Sequence, residues 1–131
     1  MPALLQLCCG VRYQAWRLRA AFLLYGAILV LGSLPGARAA LDDVASGLIL
    51  HSLAYGGLSA LVFTGRSGSA LGRALGALAS VMLMGAIDET LQSFFPYRHA
   101  TLGDWLVDCG AAGMTALLLW ACWPRLARAA L

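Results

Sequence analysis

An all-α bundle of four membrane-spanning helices is the fold this sequence predicts, and three observations predict it. Of 131 residues, 61% are hydrophobic and 11% charged, whereas soluble domains run near half apolar and about a quarter charged. The apolar residues fall into four long runs separated by proline, glycine and charged breaks. The basic residues are all arginine and gather at the ends of those runs. At this length the chain reads as one domain covering residues 1–131.

The first run follows a basic head carrying Arg12, Arg17 and Arg19 and stops at Pro35-Gly36. Its apolar core is short, but with Trp16, Leu18 and snorkelling arginines it covers 16–34, near the roughly 17–25 residues a span needs. A basic head, a short apolar core and Ala37-Arg38-Ala39 before Ala40 also resemble a cleavable signal peptide. The first helix is read as retained, since three further apolar helices give it a surface to pack on. The second span is expected over 44–64, with Asp43 placed to cap it. Small residues, among them Ser46, Gly47, Ser52, Gly56, Gly57 and Ser59, would let neighbouring helices approach. The third span, 71–92, follows the turn Gly65-Arg66-Ser67-Gly68-Ser69 and ends at Phe94-Phe95-Pro96-Tyr97. Aromatics there suit an interfacial belt, and the proline stops the helix. Thr101 with Asp104 three residues on forms a weak capping box for the fourth span, 102–123. That span is expected to stop at Pro124, with Trp120 and Trp123 at the far interface.

With the N-terminus in the cytoplasm, seven of the nine arginines fall inside, and only Arg38 and Arg98 outside. This bias favours cytoplasmic N- and C-termini. The net charge of +3 is then explained by topology, and no basic stripe interleaved with aromatics points to nucleic acid. The four cysteines show no Cys-x-x-Cys spacing and read as small apolar fillers rather than a disulfide, zinc or redox framework. No His-x-x-x-His or Glu-x-x-His pair occurs, so neither a metal nor a cofactor is expected. No serine sits in a nucleophile elbow.

Chemistry concentrates between Asp88 and Asp108, which holds four of the six acids, Arg98 and His99. Ionisable groups at a bilayer edge cost free energy and are default candidates for function. Asp88 and Gln92 share a helix face at spacing four, as do Asp104 and Asp108 and, on the second span, His51 and Tyr55; Glu89 and Gln92 share one at spacing three. The Pro96 turn should bring the last two helices side by side and put Arg98 near Asp88, Glu89 and Asp104, where a guanidinium could fork between carboxylates. His51 is expected about two turns inside its helix. His99 reads as a solvated loop residue. Four acids against one arginine leave an excess of negative charge near lipid, so a carboxyl should be neutral or a cation should bind.

The run Asp88-Glu89-x-x-Gln92, Pro96-x-Arg98, Asp104-x-x-x-Asp108 resembles the signature of VanZ-like membrane proteins, and His51-Ser-Leu-Ala-Tyr55 is similar to that family's His-x-x-Ala-Tyr segment. The resemblance covers about half the chain, from His51 to Gly113. Positions 47 and 48, Gly47 and Leu48, lack the Asp-Lys pair the family usually carries there. Ala111 and Thr115 stand where glycines are usual. The resemblance implies a small multi-pass protein of the bacterial cytoplasmic (inner) membrane, in a family named for a link to glycopeptide resistance.

The expected site is therefore an outward-facing recess of His51, Tyr55, Asp88, Glu89, Gln92, Arg98, Asp104 and Asp108. It would bind a lipid headgroup, an envelope lipid intermediate or a glycopeptide-type amphiphile, in envelope homeostasis or antibiotic tolerance. Two other readings stand beside it. One is an enzyme acting on a lipid-linked envelope substrate, with an acid as general base and Arg98 steadying negative charge. The other is a structural subunit of an envelope complex or homo-oligomer, joined through glycine-rich faces.

Overall fold

The computed structural model describes residues 2–36, 46–98 and 101–130. Among them are five α-helices: α1 (Pro2–Cys9), α2 (Gln14–Ser33), α3 (Gly47–Gly65), α4 (Ala70–Gln92) and α5 (Leu102–Ala129), with a 3-10 turn at Val11–Tyr13. Four stretches are long and apolar enough to cross a membrane: Val11–Ser33, Gly47–Gly65, Ala70–Gln92 and Leu102–Ala129. The chain is therefore an all-α, multi-pass membrane protein by length and composition. Asp43, Arg38, His99 and the Ala37–Ala40 segment lie outside the described residues.

Helical periodicity explains which faces meet. On α4, Ala74, Ala77, Val81, Gly85, Asp88 and Gln92 are buried at steps of three and four that trace one stripe, with Arg73 buried beside its start. On α3 the stripe is Tyr55, Leu58, Ser59, Val62 and Phe63, and on α5 it is Asp108, Ala112, Ala116 and Trp123. α3, α4 and α5 pack together as the central three, with α3 and α4 meeting each other least. α5 packs extensively on both, and α2 lies against α3 with a smaller contact to α4. Small residues set the close approach of α3 and α5: Ser59 Oγ donates to the Ala112 carbonyl at 3.0 Å with both residues fully buried.

The arginine-rich end is tied by side chains to carbonyls. Arg17, buried, donates to the carbonyls of Leu7 at 2.7 Å, Gly10 at 2.8 Å and Thr64 at 2.8 Å. These bonds fasten α1 and the start of α2 to the end of α3. Arg73 donates to the Gly68 carbonyl at 3.0 Å, across a turn in which Gly68 takes φ +104, a conformation that suits glycine.

Three expectations change here. Residues 2–13 are folded into a short helix and a turn rather than forming only a basic head. α5 continues through Pro124 to Ala129. Proline removes one hydrogen bond and crowds the preceding turn, but Trp123 is locked in place. Its ring meets Phe63 edge-on at 5.2 Å between centroids and lies under the Arg73 guanidinium at 4.6 Å. Trp123 is thus buried within the chain, whereas Trp120 is exposed. Among the cysteines only Cys9 is buried; Cys8 and Cys122 are exposed, so they do not fill this chain's core.

Candidate functional site

At the end of the bundle opposite Arg17 and Arg73, the three central helices each deliver acids or their partners to one level. His51 sits four residues after Gly47, one turn into α3 and about 6 Å along it, shallower than the two turns expected from sequence. Tyr55 follows one turn deeper, and the two rings stack with centroids 6.0 Å apart. Each points at a different carboxylate. His51 Nδ1 lies 2.8 Å from Asp108 Oδ1 on α5. Tyr55 donates its hydroxyl to Asp88 Oδ2 on α4 at 2.8 Å. Asp88 is 2% exposed and Asp108 0%, so both carboxylates rely on protein partners rather than solvent.

Gln92, one turn beyond Asp88, accepts a hydrogen bond from Arg98 Nη2 at 2.7 Å. Sequence spacing pointed Arg98 toward carboxylates; among the described residues its side-chain hydrogen bond goes to this amide. Arg98 Nε is buried without a partner. Gly32 of α2 faces this group. A Cβ added there would meet Asp88 Oδ1 and Gln92 Nε2 at 3.6 Å and Arg98 Nη2 at 4.0 Å. The glycine therefore leaves open the space that these three side chains border.

That space belongs to a cavity of about 260 Å³ between α2, α3 and α4. Ile28, Leu31, Leu50 and Ala54 line it with apolar side chains, and His51, Tyr55, Asp88, Gln92 and Arg98 line it with polar ones. Five of the eight residues expected from sequence thus line one cavity. The α2 contribution went unforeseen: nothing in a uniformly apolar run distinguishes Ile28 or Leu31, and Gly32 beside the Pro35 break was the one local signal. The loop after α4 is held at this end by Tyr97, whose hydroxyl donates to the Ser33 carbonyl at 2.7 Å.

The remaining three site residues lie on the α4–α5 side. Thr101 caps α5 by accepting from the Asp104 N–H at 3.0 Å. The return half of the box comes from another helix, as Glu89 Oε2 accepts the Thr101 N–H at 2.9 Å. Asp104 occupies the first turn of α5. Glu89 borders an open groove with Thr101 and Trp105, separate from the main cavity. Its other oxygen, Oε1, is buried without a partner, as is Asp108 Oδ2. Donor atoms of His51, Glu89 and Asp108 all lie within 4.8 Å of one another.

No family model matches the chain, and no curated protein or solved structure matches it at a significant level.

Proposed function

We propose that this chain is a VanZ-like protein of the bacterial cytoplasmic membrane that binds an amphiphile with a phosphate-bearing headgroup. The ligand class is a membrane lipid or a lipid-linked envelope intermediate. The cavity lies toward the outer face, and both termini lie in the cytoplasm. The observation that carries this reading is the cavity's mixed lining, aliphatic side chains from α2 and α3 beside the polar groups of His51, Tyr55, Asp88, Gln92 and Arg98. An acyl chain matches Ile28, Leu31 and Leu50. A headgroup matches Arg98, whose guanidinium keeps a buried, unpartnered Nε–H; charge-assisted bonds from guanidinium to phosphate are strong and directional. The arginine distribution supports the orientation, and the spaced Asp-Glu-x-x-Gln, Pro-x-Arg and Asp-x-x-x-Asp motifs support the relationship to VanZ-like proteins.

Volume favours a headgroup over a whole glycopeptide. Pockets for drug-sized molecules run about 300–1,000 Å³, and this cavity, at about 260 Å³, sits below that range. A role in glycopeptide tolerance would then act through the envelope lipid rather than through capture of the drug.

Native mass spectrometry of protein extracted in mild detergent tests the proposal. The wild-type chain is expected to retain a phosphate-containing lipid that Arg98→Ala loses while remaining folded and monodisperse. Equal lipid retention by both would sink the reading. Orientation is checked separately: a cysteine introduced at Arg98 in a Cys-free background should react with a membrane-impermeant maleimide from the outer face only.

A further inference from the structure

His51, Glu89 and Asp108 come from three separate helices, and we propose that they form a binding site for a divalent transition-metal ion of the Zn²⁺ or Mn²⁺ class. Their donor atoms lie within 4.8 Å of one another. That closeness alone would describe any acidic cluster. The second observation is the state of the carboxylates. Asp108 is fully buried, and its Oδ2 has no hydrogen-bond partner. Glu89 Oε1, on the facing helix, is also buried and unpartnered. Two orphaned, buried carboxylate oxygens are costly, and one cation held between the side chains would satisfy both.

The donor chemistry selects the ion. Two carboxylates cancel a 2+ charge, and a neutral imidazole completes a three-ligand set. Imidazole favours transition ions over Mg²⁺ and Ca²⁺, which prefer all-oxygen sites. Bonds of about 2.0–2.2 Å place neighbouring donors about 3–3.5 Å apart, so the three residues need only a small contraction. The surroundings orient the ligands as metal sites require. The Thr101 N–H fixes Glu89 Oε2. Gly85 lets Asp108 come close to α4, since a Cβ there would stand 3.2 Å from Asp108 Oδ2. The groove at Glu89 gives access from one side, and His51 borders the amphiphile cavity on the other. Three protein ligands leave a coordination position for water or a ligand oxygen. Failure of this proposal is distinguishable from failure of the lipid reading, because Arg98→Ala, which tests that reading, leaves all three metal ligands in place.

The test uses the full chain in detergent, stripped with chelator and equilibrated with Mn²⁺ or Zn²⁺. Bound metal is read by elemental analysis and by Mn²⁺ electron paramagnetic resonance, and stability by the melting temperature with and without ion. One ion per chain and a raised melting temperature are expected. Glu89→Gln and Asp108→Asn should each weaken binding by at least the roughly 10–100-fold that loss of an outer-shell partner costs and abolish the ion-dependent rise. Cys8→Ser/Cys122→Ser should keep both. The proposal is overturned if the wild type binds no ion, if Glu89→Gln binds as tightly as wild type, or if the double serine variant loses the metal. Should Asp108→Asn fail to fold, Glu89→Gln, partly exposed at the helix end, decides the matter.

Discussion

The Tyr55 hydroxyl donates to Oδ2 of Asp88 across 2.8 Å, between two residues that are 1% and 2% exposed. This bond joins α3 to α4 and turns the other Asp88 oxygen toward Gly32 and the cavity. It holds together both the bundle and the polar lining of the site, so its removal separates those two roles.

Tyr55→Phe keeps the ring and removes the donor, leaving a buried carboxylate oxygen unpaired. A buried polar group left in that state costs about 1–3 kcal/mol. The variant is expected to unfold at a lower temperature in detergent. Asp88→Asn, whose amide oxygen still accepts the hydroxyl, should fall less. A Tyr55→Phe protein melting with the wild type would mean that the bond is no tie between helices.

Gly32 offers a graded test of the cavity. Contacts of 3.6–4.0 Å from an added Cβ are ordinary packing distances, so Gly32→Ala should fold normally and still retain lipid. Gly32→Leu places three further carbons among Asp88, Gln92 and Arg98 and should expel the bound amphiphile without unfolding α2. Lipid phosphorus per mole of protein, measured after size-exclusion chromatography, distinguishes the two. Unchanged phosphorus in Gly32→Leu would place the lipid elsewhere.

Cys8 and Cys9 are neighbours with different surroundings. Burial pushes the Cys9 thiol above the usual thiol range, with the adjacent Cys8 adding to the rise and Arg17 opposing it. A raised value means less thiolate at any given pH, and the thiolate is the reactive form. In a Cys109→Ser/Cys122→Ser background, maleimide should therefore label exposed Cys8 first near neutral pH, and Cys9 should need a more alkaline solution. Mass spectrometry of the N-terminal peptide at several pH values reads the order; equal rates would argue against a buried Cys9.

Much of the helical framework was legible because apolar run length is a direct physical measure of a span. The expected limits of 16–34, 71–92 and 102–123 meet helices at Gln14–Ser33, Ala70–Gln92 and Leu102–Ala129. Spacing within one helix was equally legible: His51 and Tyr55 do share a face, as do Asp88 and Gln92. Partners across helices were not. Nothing local says that His51 meets Asp108 while Tyr55, one turn away, meets Asp88, since that depends on how α4 and α5 are offset along their axes. The same blindness hid the metal-ligand set, because familiar ligand spacings describe two donors on one helix. Pro124 misled for a related reason: its helix-breaking tendency is local, whereas Phe63 and Arg73, which pin Trp123, come from elsewhere in the chain.

The helices also differ in length. At about 1.5 Å per residue, the 19 residues of α3 span about 28 Å and the 28 residues of α5 about 42 Å. A hydrocarbon core near 30 Å is matched by the first and overshot by the second. Spanning such a core, α3 would set the thickness that the protein matches, and α5 is long enough for its final turns, with Arg125 and Arg128, to reach the headgroups. A thicker bilayer would have to thin around α3, a hydrophobic mismatch borne by the helix that carries His51 and Tyr55.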